Sequence, residues 1–149
     1  MTDEDYLRIA LEEAQASAEA GEVPVGAVLV CGGNIVALGQ NRVLRDFDPT
    51  AHAEIVAMRE AAKVGNNHRL TGSSLYVTLE PCAMCAGAMI HARLERLVVG
   101  ADDPKAGAAG SVLSVLNHPR LNHQMEVARG VLAEECGEVL RRFFRERRS

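Results

Sequence analysis

Apolar residues recur along this chain at two spacings, one typical of helices and the other typical of strands. A first helix is predicted to begin after Thr2, where Asp5 completes a near capping box, and to end at Gly21. The run at residues 25–30 is almost wholly apolar, which predicts a strand buried on both faces. A Gly-Gly-Asn turn follows, so residues 35–40 are predicted to return as a second, antiparallel strand.

Helices and strands are predicted to alternate through the rest of the chain. The pattern predicts helices at residues 52–63, 81–92 and 132–147, and strands at residues 74–78, 97–100 and 125–128. A helix links the third and fourth strands, which therefore should run parallel. Residues 102–111 are rich in Gly and Ala and are expected to form a loop. The expected fold class is α/β, a mixed five-stranded sheet with helices on both faces, in one domain spanning residues 1–149.

Composition excludes several classes of protein. The chain has 149 residues, 48% hydrophobic and 24% charged, which are ordinary values for a globular protein. No apolar run approaches the roughly 20 residues that span a bilayer, so no membrane partner is expected. The acidic first residues lack the basic and apolar regions of a secretory signal, so the protein is expected to be cytoplasmic.

The formal net charge of −4 argues against non-specific coating of nucleic acid. Any contact with nucleic acid must come from a local basic patch. One candidate is the arginine-rich end of the chain: Arg141, Arg142, Arg145, Arg147 and Arg148.

Two short motifs point to a metal site. Cys82 and Cys85 open a predicted helix and share one helical face, and the helix N-terminus favours their thiolate forms. His52 and Glu54 open another helix, but residues two apart do not face each other along a helix. They can share a site only at the end of the helix, which requires two helix N-termini to converge on one ion.

The number of ligands separates a catalytic from a structural metal. One imidazole and two thiolates suit zinc, and three protein ligands leave a position for water, as in catalytic zinc sites. Cys31 and Cys136 lie at no ligand spacing. Glu54 is then free to act as a base.

Other interpretations of these residues remain open. Cys82 and Cys85 alone would fit a thiol redox pair, and Glu54 alone would fit a carboxylate favoured by the helix dipole. A zinc module that binds RNA without catalysis would need a fourth ligand. The combination of H-x-E with P-C-x-x-C is more specific than either half.

These motifs resemble the signature of the cytidine/deoxycytidylate deaminase superfamily. Within it, the chain resembles the bacterial tRNA-specific adenosine deaminases along essentially its whole length. The resemblance rests on four stretches: residues 22–28 (EVPVGAV), 48–54 (DPTAHAE), 75–82 (LYVTLEPC) and 107–111 (GAAGS).

The resemblance implies a three-layer α/β/α, cytidine deaminase-like fold, a homodimer and one Zn²⁺ per subunit. It implies His52, Cys82 and Cys85 as zinc ligands and Glu54 as the catalytic proton shuttle. The implied reaction is hydrolytic deamination of adenosine to inosine at the wobble position of a tRNA anticodon, with the anticodon stem-loop as partner. A deaminase of a free nucleoside, nucleotide or nucleobase (cytidine, deoxycytidylate or guanine) would use the same zinc site and stays an alternative.

The resemblance also implies substrate contacts. They are Asn41 at the purine edge; Val28, Ala53, Pro81 and Cys82 in the base pocket; Asp103 and His118 at the flanking nucleotides; and Phe144, Arg147 and Arg148 in the helix beside the anticodon. From the residues alone, Asn41 could equally cap a turn, and His118 could be a plain loop residue. Phe143 and Phe144 could divide between core and substrate, and the pattern does not decide which faces which.

Overall fold

Nine secondary-structure elements follow one another in residues 1–148, the part of the chain that this computed structural model describes. They are α1 (Asp3–Glu19), β1 (Gly26–Cys31), β2 (Asn34–Gln40), α2 (Ala53–Val64), β3 (Ser73–Leu79), α3 (Ala83–Ala92), β4 (Arg96–Ala101), β5 (Glu126–Ala128) and α4 (Ala133–Arg148). Each element lies within one or two residues of its predicted position. Among the described residues, no helix is both long and apolar enough to cross a membrane.

The five strands form one sheet in the order β2-β1-β3-β4-β5. β1 runs antiparallel to both β2 and β3, whereas β3, β4 and β5 are parallel to one another. The predicted mixed sheet, the β1–β2 hairpin and the parallel β3–β4 pair are therefore confirmed. Gly32 and Gly33 form the hairpin turn with φ of 59° and 78°, a conformation that favours glycine at both positions.

Helices cover both faces of the sheet, as predicted. Alternate residues of β1 separate the two cores, because successive side chains in a strand point to opposite faces. Ala27 and Leu29 pack with α2 and α3, while Val28 and Val30 pack with α1 and with Cys136 of α4. The arrangement is a three-layer α/β/α sandwich.

The predicted capping box of α1 is also confirmed. The Thr2 hydroxyl accepts a hydrogen bond from the Asp5 N–H at 3.2 Å, and the Asp5 carboxylate accepts one from the Thr2 N–H at 2.8 Å. Asp3 in the first turn then pairs with Arg96 at the start of β4, at 2.7 Å. These contacts fasten the start of α1 to the sheet.

The segments that carry the candidate site lie together at one edge of the sheet. Because β3 and β4 run parallel and β1 runs opposite to them, the residues before β1 and after β2, β3 and β4 share this edge. These residues include Val25, Asn41, Cys82 and Asp103. The sheet topology thus brings together side chains that are far apart in sequence.

Gly39 in β2 allows the first turn of α2 to lie directly against the sheet. A Cβ atom at this position would lie 2.0 Å from the carbonyl oxygen of Ala53 and 3.0 Å from the Ala57 side chain. No side chain fits in that space. Since His52 and Glu54 lie at the start of α2, Gly39 helps to set the depth of the site.

We expect Gly39→Ala to lower the free energy of unfolding by about 1–3 kcal/mol, because the added methyl group must push α2 away from β2. Gly65→Ala is the matched control. Gly65 is exposed at the end of α2, has φ of −82°, and a Cβ there would lie 3.4 Å from its nearest neighbour. This control should leave stability unchanged or raise it by up to about 1 kcal/mol. Equal urea midpoints for the two variants would contradict the close approach described above.

Candidate active site

Three ligand-type side chains meet where α2 and α3 begin. His52 is the N-cap of α2, Cys82 is the N-cap of α3, and Cys85 lies in the first turn of α3. The ligand atoms of these three residues lie within 4.8 Å of one another. Neither N-cap side chain makes a capping hydrogen bond, so both are directed elsewhere. The sequence-based expectation that two helix N-termini converge is confirmed.

The spacing of the cluster fits a tetrahedral zinc ion. The Nδ1 atom of His52 lies 3.6 Å from the Cys82 sulfur and 3.5 Å from the Cys85 sulfur. Zn–S and Zn–N bonds of about 2.3 and 2.0 Å at a tetrahedral angle separate sulfur and nitrogen by about 3.5 Å. Within residues 1–148 no fourth His, Cys, Asp or Glu joins the group. Cys31 is exposed on β1, and Cys136 is buried in α4 beside Gly100.

Charge in the cluster is shared among its three members. Hydrogen bonds from Cys85 and His52 lower the pKa of Cys82 to about 3, although burial opposes this. The pKa of Cys85 is raised, first because its thiol donates to Cys82 and then because it is buried. The Cys82 contact also raises the pKa of His52. A divalent cation bound here would compete with protons for these atoms, because metals bind thiolates and neutral imidazole.

Glu54 lies beside the cluster in the first turn of α2 and is only 3% exposed. Burial raises the pKa of Glu54 to about 7, while the charge of His52 acts in the opposite direction. A carboxyl group with a pKa near neutrality can accept and release protons at physiological pH. Its position and its pKa both suit acid–base chemistry at the cluster.

A pocket of about 250 Å³ opens above the cluster. Its lining combines two members of the cluster, Glu54 and residues from the ends of four strands: Val23, Val25, Asn41, His52, Ala53, Glu54, Leu79, Glu80, Cys82, Asp103 and Ala106. Asn41, Ala53 and Asp103 from the sequence-based set therefore lie at this pocket. Pro81 is buried between two lining residues, and its carbonyl oxygen accepts a hydrogen bond from Ala108 at 2.8 Å.

Asn41 caps the turn that follows β2, one of the two roles expected for it. Its side-chain amide donates to the Val23 carbonyl at 3.3 Å, and its side-chain oxygen accepts from the Val43 N–H at 3.2 Å. This is the turn-capping role. The amide retains a second donor and the oxygen a second lone pair, so the side chain can still contact a purine edge in the pocket.

The structure does not bring Val28 or His118 to the pocket. Val28 is fully buried on the opposite face of the sheet, against α1. Val25, three residues earlier, lines the pocket instead, so the expected position of Val28 is corrected to Val25. His118 is exposed in the loop before β5, where its Nδ1 accepts the Arg120 N–H at 3.1 Å.

A wider groove of about 880 Å³ adjoins the pocket and shares Val23, Leu79 and Asp103 with it. Its other wall is α4, which contributes Phe144, Arg147 and Arg148 together with other residues.

The structure also decides between the two phenylalanines of α4. Phe143 is buried and packs under the Arg147 guanidinium, whose carbon lies 4.4 Å from the ring centre. Phe144 is about half exposed and faces the groove.

Two buried glutamates shape the rims of the pocket, and motif analysis missed both. Glu22 accepts the backbone N–H groups of Leu44 and Arg45 at 3.0 and 2.9 Å and forms an ion pair with the Arg45 guanidinium. Glu80 accepts backbone N–H groups from residues 103–111. Burial alone would raise the pKa of either group, but these hydrogen bonds hold it below its usual value. Glu22 and Glu80 both lie in stretches that carry the family resemblance. The residues that donate hydrogen bonds to them are distant in sequence, so the motifs do not reveal these contacts.

The sheet order and the His/Cys/Cys cluster beside a buried Glu together define a nucleobase deaminase with the cytidine deaminase-like fold. A family model described as "MafB19-like deaminase" matches residues 1–148. The chain is 53% identical over 147 residues to a tRNA-specific adenosine deaminase of Haemophilus influenzae, covering 98% of this chain and 85% of that protein. The chain therefore belongs to the family of tRNA-specific adenosine deaminases.

Solved structures agree with this assignment. One, from a study of A-to-I editing by tRNA:A34 deaminases at the wobble position of transfer RNA, superposes with a TM-score of 0.88 at 44% identity. That match covers 91% of this chain and 99% of the other. A guanine deaminase from Nitrosomonas europaea superposes with a TM-score of 0.83 at 25% identity, covering 94% of this chain and 83% of that one.

We expect cobalt substitution to yield one tetrahedral Co²⁺ per chain with thiolate-to-cobalt absorption in the near ultraviolet. Cys85→Ser should abolish most of that absorption, because it removes one of the converging sulfurs. Cys31→Ser serves as the control, since it removes an exposed thiol outside the cluster. A Cys85→Ser spectrum equal to that of the Cys31→Ser control would show that the cluster is not the metal site.

Proposed function

We propose that this protein hydrolyses adenosine at the wobble position of a tRNA anticodon to inosine, with release of ammonia. The observation that carries the proposal is a small pocket over the His/Cys/Cys cluster that opens into a basic groove. The pocket volume lies below the roughly 300–1,000 Å³ of sites for drug-sized ligands, which suits a single extruded base. The groove provides room for the RNA on either side of that base.

We propose that His52, Cys82 and Cys85 hold one Zn²⁺ per chain. The donor set supports this assignment, because soft sulfur with imidazole suits zinc and three protein ligands leave a position for water. The structure directs the Nδ1 atom of His52 to the sulfurs. When bound, zinc supplies a Lewis acid that lowers the pKa of water toward neutrality.

Glu54 moves the protons of the reaction. It takes one proton from the attacking water and delivers it to N1 of the adenine as the new C6–O bond forms. It then takes the remaining proton from the new C6 hydroxyl group and transfers it to the 6-amino group, which leaves as ammonia when the C6–N bond breaks and the C6 carbonyl forms. Its pKa near 7 suits both transfers. Burial of Glu54 also keeps bulk water away from this carboxyl group.

The pocket walls orient the base. Asn41 contacts the purine edge through its remaining donor and acceptor, while Val25, Ala53 and the backbone around Pro81 enclose the ring. Asp103 lies where pocket and groove meet and contacts a flanking nucleotide. His118 remains a proposed contact to a flanking nucleotide from its exposed loop.

The groove binds the anticodon loop through α4. Phe144 offers a half-exposed ring on which a base can stack, and Arg147 and Arg148 attract the phosphates. A single-stranded loop supplies an unstacked base at little energetic cost, which suits a pocket that cannot reach into a duplex.

We also propose that the protein works as a cytoplasmic homodimer. The family resemblance implies the dimer. Exposed apolar side chains in segments that flank the cluster support it, because contact with a second copy would remove them from water. Phe47 is 94% exposed, and Leu44, Met84, Val112 and Leu113 are also exposed.

A free-base deaminase is the competing function, because a guanine deaminase shares this fold. The open basic groove favours RNA, since a free purine has no phosphates for Arg147 and Arg148 to attract. The two functions separate in one assay: inosine in an anticodon hairpin against ammonia release from free adenosine, cytidine and guanine. Turnover of a free substrate without turnover of the hairpin would overturn the proposal.

Glu54→Ala should retain one zinc per chain and lose about 10²- to 10⁴-fold in kcat on an anticodon hairpin, because it removes only the proton shuttle. Glu60→Ala is the control, since Glu60 is an exposed carboxylate on the same helix. Zinc is quantified by mass spectrometry and inosine by sequencing at the wobble nucleotide. Near-normal turnover of Glu54→Ala would disprove the assigned role.

Arg147→Ala/Arg148→Ala should weaken binding of an anticodon hairpin and flatten its salt dependence. Each lost phosphate contact should reduce the slope of log K against log salt by about 0.7–0.9. Loss of the Arg147 packing on Phe143 could weaken binding but would leave that slope unchanged. Arg8→Ala/Lys63→Ala, which removes the same charge from exposed positions on α1 and α2, is the control. Equal slopes for the two double variants would place the RNA elsewhere.

A further inference from the structure

Hydrogen bonds join residues 75–82 to residues 107–111, two of the four stretches that carry the family resemblance. These hydrogen bonds take no part in the proposed reaction. Glu80, next to the metal-binding turn, has a fully buried side chain. A carboxylate buried in this way is costly unless donors surround it. Its hydrogen bonds lead to residues 103–111 and not to the metal cluster.

Both carboxylate oxygens of Glu80 are fully engaged. One oxygen accepts the Asp103 N–H at 3.0 Å and the Ser111 hydroxyl. The other accepts the N–H groups of Ala109 and Ser111 at 2.9 and 3.1 Å. The Arg129 guanidinium, 3.3 Å from the first oxygen, balances the charge. One side chain thus satisfies three backbone donors of a loop that has almost no regular secondary structure of its own.

The loop is shaped to fit that side chain. A Cβ atom on Gly107 would lie 2.4 Å from the Glu80 carboxyl carbon and 2.6 Å from the Asp103 carbonyl oxygen. The neighbouring Ala108 N–H donates to Pro81 at 2.8 Å. The loop therefore closes directly over Glu80 and Pro81, and only glycine fits at position 107.

The segment that Glu80 holds forms one wall of the site. Asp103 lines both pocket and groove, and Ala106 lines the pocket. We propose that Glu80 is a positioning residue that fixes residues 103–111 at the rim of the pocket, so that Asp103 and Ala106 present a preformed wall to the RNA. This rests on the proposed function. Glu80 also lines the pocket, but its carboxylate accepts its hydrogen bonds from residues 103–111.

Glu80→Gln tests the proposal with almost no change in shape. The Gln amide nitrogen can only donate, so it faces backbone N–H groups that need an acceptor. We expect KM for an anticodon hairpin to rise about tenfold or more, with kcat changed less than threefold and zinc content unchanged. Glu126→Gln, which removes a carboxylate charge from an exposed ion pair with Arg96, should match the wild type.

Gly107→Ala reaches the same contact from the loop, and it decides the question if Glu80→Gln does not fold. It should show the same rise in KM. The double variant should be no worse than the more severe single variant, because each change disrupts one shared contact. Additive effects of the two changes would overturn the proposal.

Hydrogen exchange gives a readout that does not depend on substrate. In whichever variant folds, the amides of Ala109 and Ser111 should exchange at least about tenfold faster, while those of β3 and β4 keep wild-type protection. Unchanged protection of these two amides, or a fall in kcat and zinc content at constant KM, would overturn the positioning role. Failure of the wild type to form inosine in the hairpin would instead overturn the proposed function and leave the exchange result standing.

Discussion

The convergence of two helix N-termini on one cluster sets the geometry of this protein. Thiolates inside a protein need compensation, and the first turns of α2 and α3 supply it with their dipoles as well as with the ligands. Gly39 then permits α2 to lie against the sheet, which places Glu54 beside the cluster in a buried setting. The geometry of the cluster, the helix packing and the raised pKa of Glu54 follow from one arrangement.

Irregular segments line part of the pocket around the cluster, and buried carboxylates accept hydrogen bonds from their backbone. Glu22 holds the segment after β2, and Glu80 holds the segment after β4. A carboxylate accepts hydrogen bonds from several backbone N–H groups at once. It can therefore supply the acceptors that a neighbouring strand supplies in a sheet. A pocket preformed in this way does not have to order its walls when the substrate arrives.

The chain is acidic overall, yet its groove is basic. Arg141 and Arg145 on α4 are tied to Glu134 and Glu138, whereas Arg147 packs on Phe143 and reaches back to the Gly21 carbonyl at 3.1 Å. Of the two neighbouring phenylalanines in α4, Phe143 is buried and Phe144 faces the groove. A small local field can therefore attract RNA without a net positive charge that would bind any polyanion.

The local sequence pattern was sufficient to predict the helices and strands and the His/Cys/Cys cluster. Helical and strand periodicities depend only on residues that are near one another in sequence. The pattern therefore predicted each helix and strand to within one or two residues of its observed bounds. The four residues of the candidate site, His52, Glu54, Cys82 and Cys85, lie in two short motifs. The residue types and their spacing in these motifs were enough to predict that the side chains share one site.

What remained needed the packed structure. Whether Val25 or Val28 faces the pocket depends on which face of the sheet packs against α2 and α3, and the division between Phe143 and Phe144 depends on how α4 lies on the sheet. Glu80 acquires its role from donors 23 to 31 residues away. The sequence alone determined which residues form the candidate cluster, because their motifs are local; the tertiary structure decided what surrounds them, because a buried charge finds its partners only when distant segments pack together.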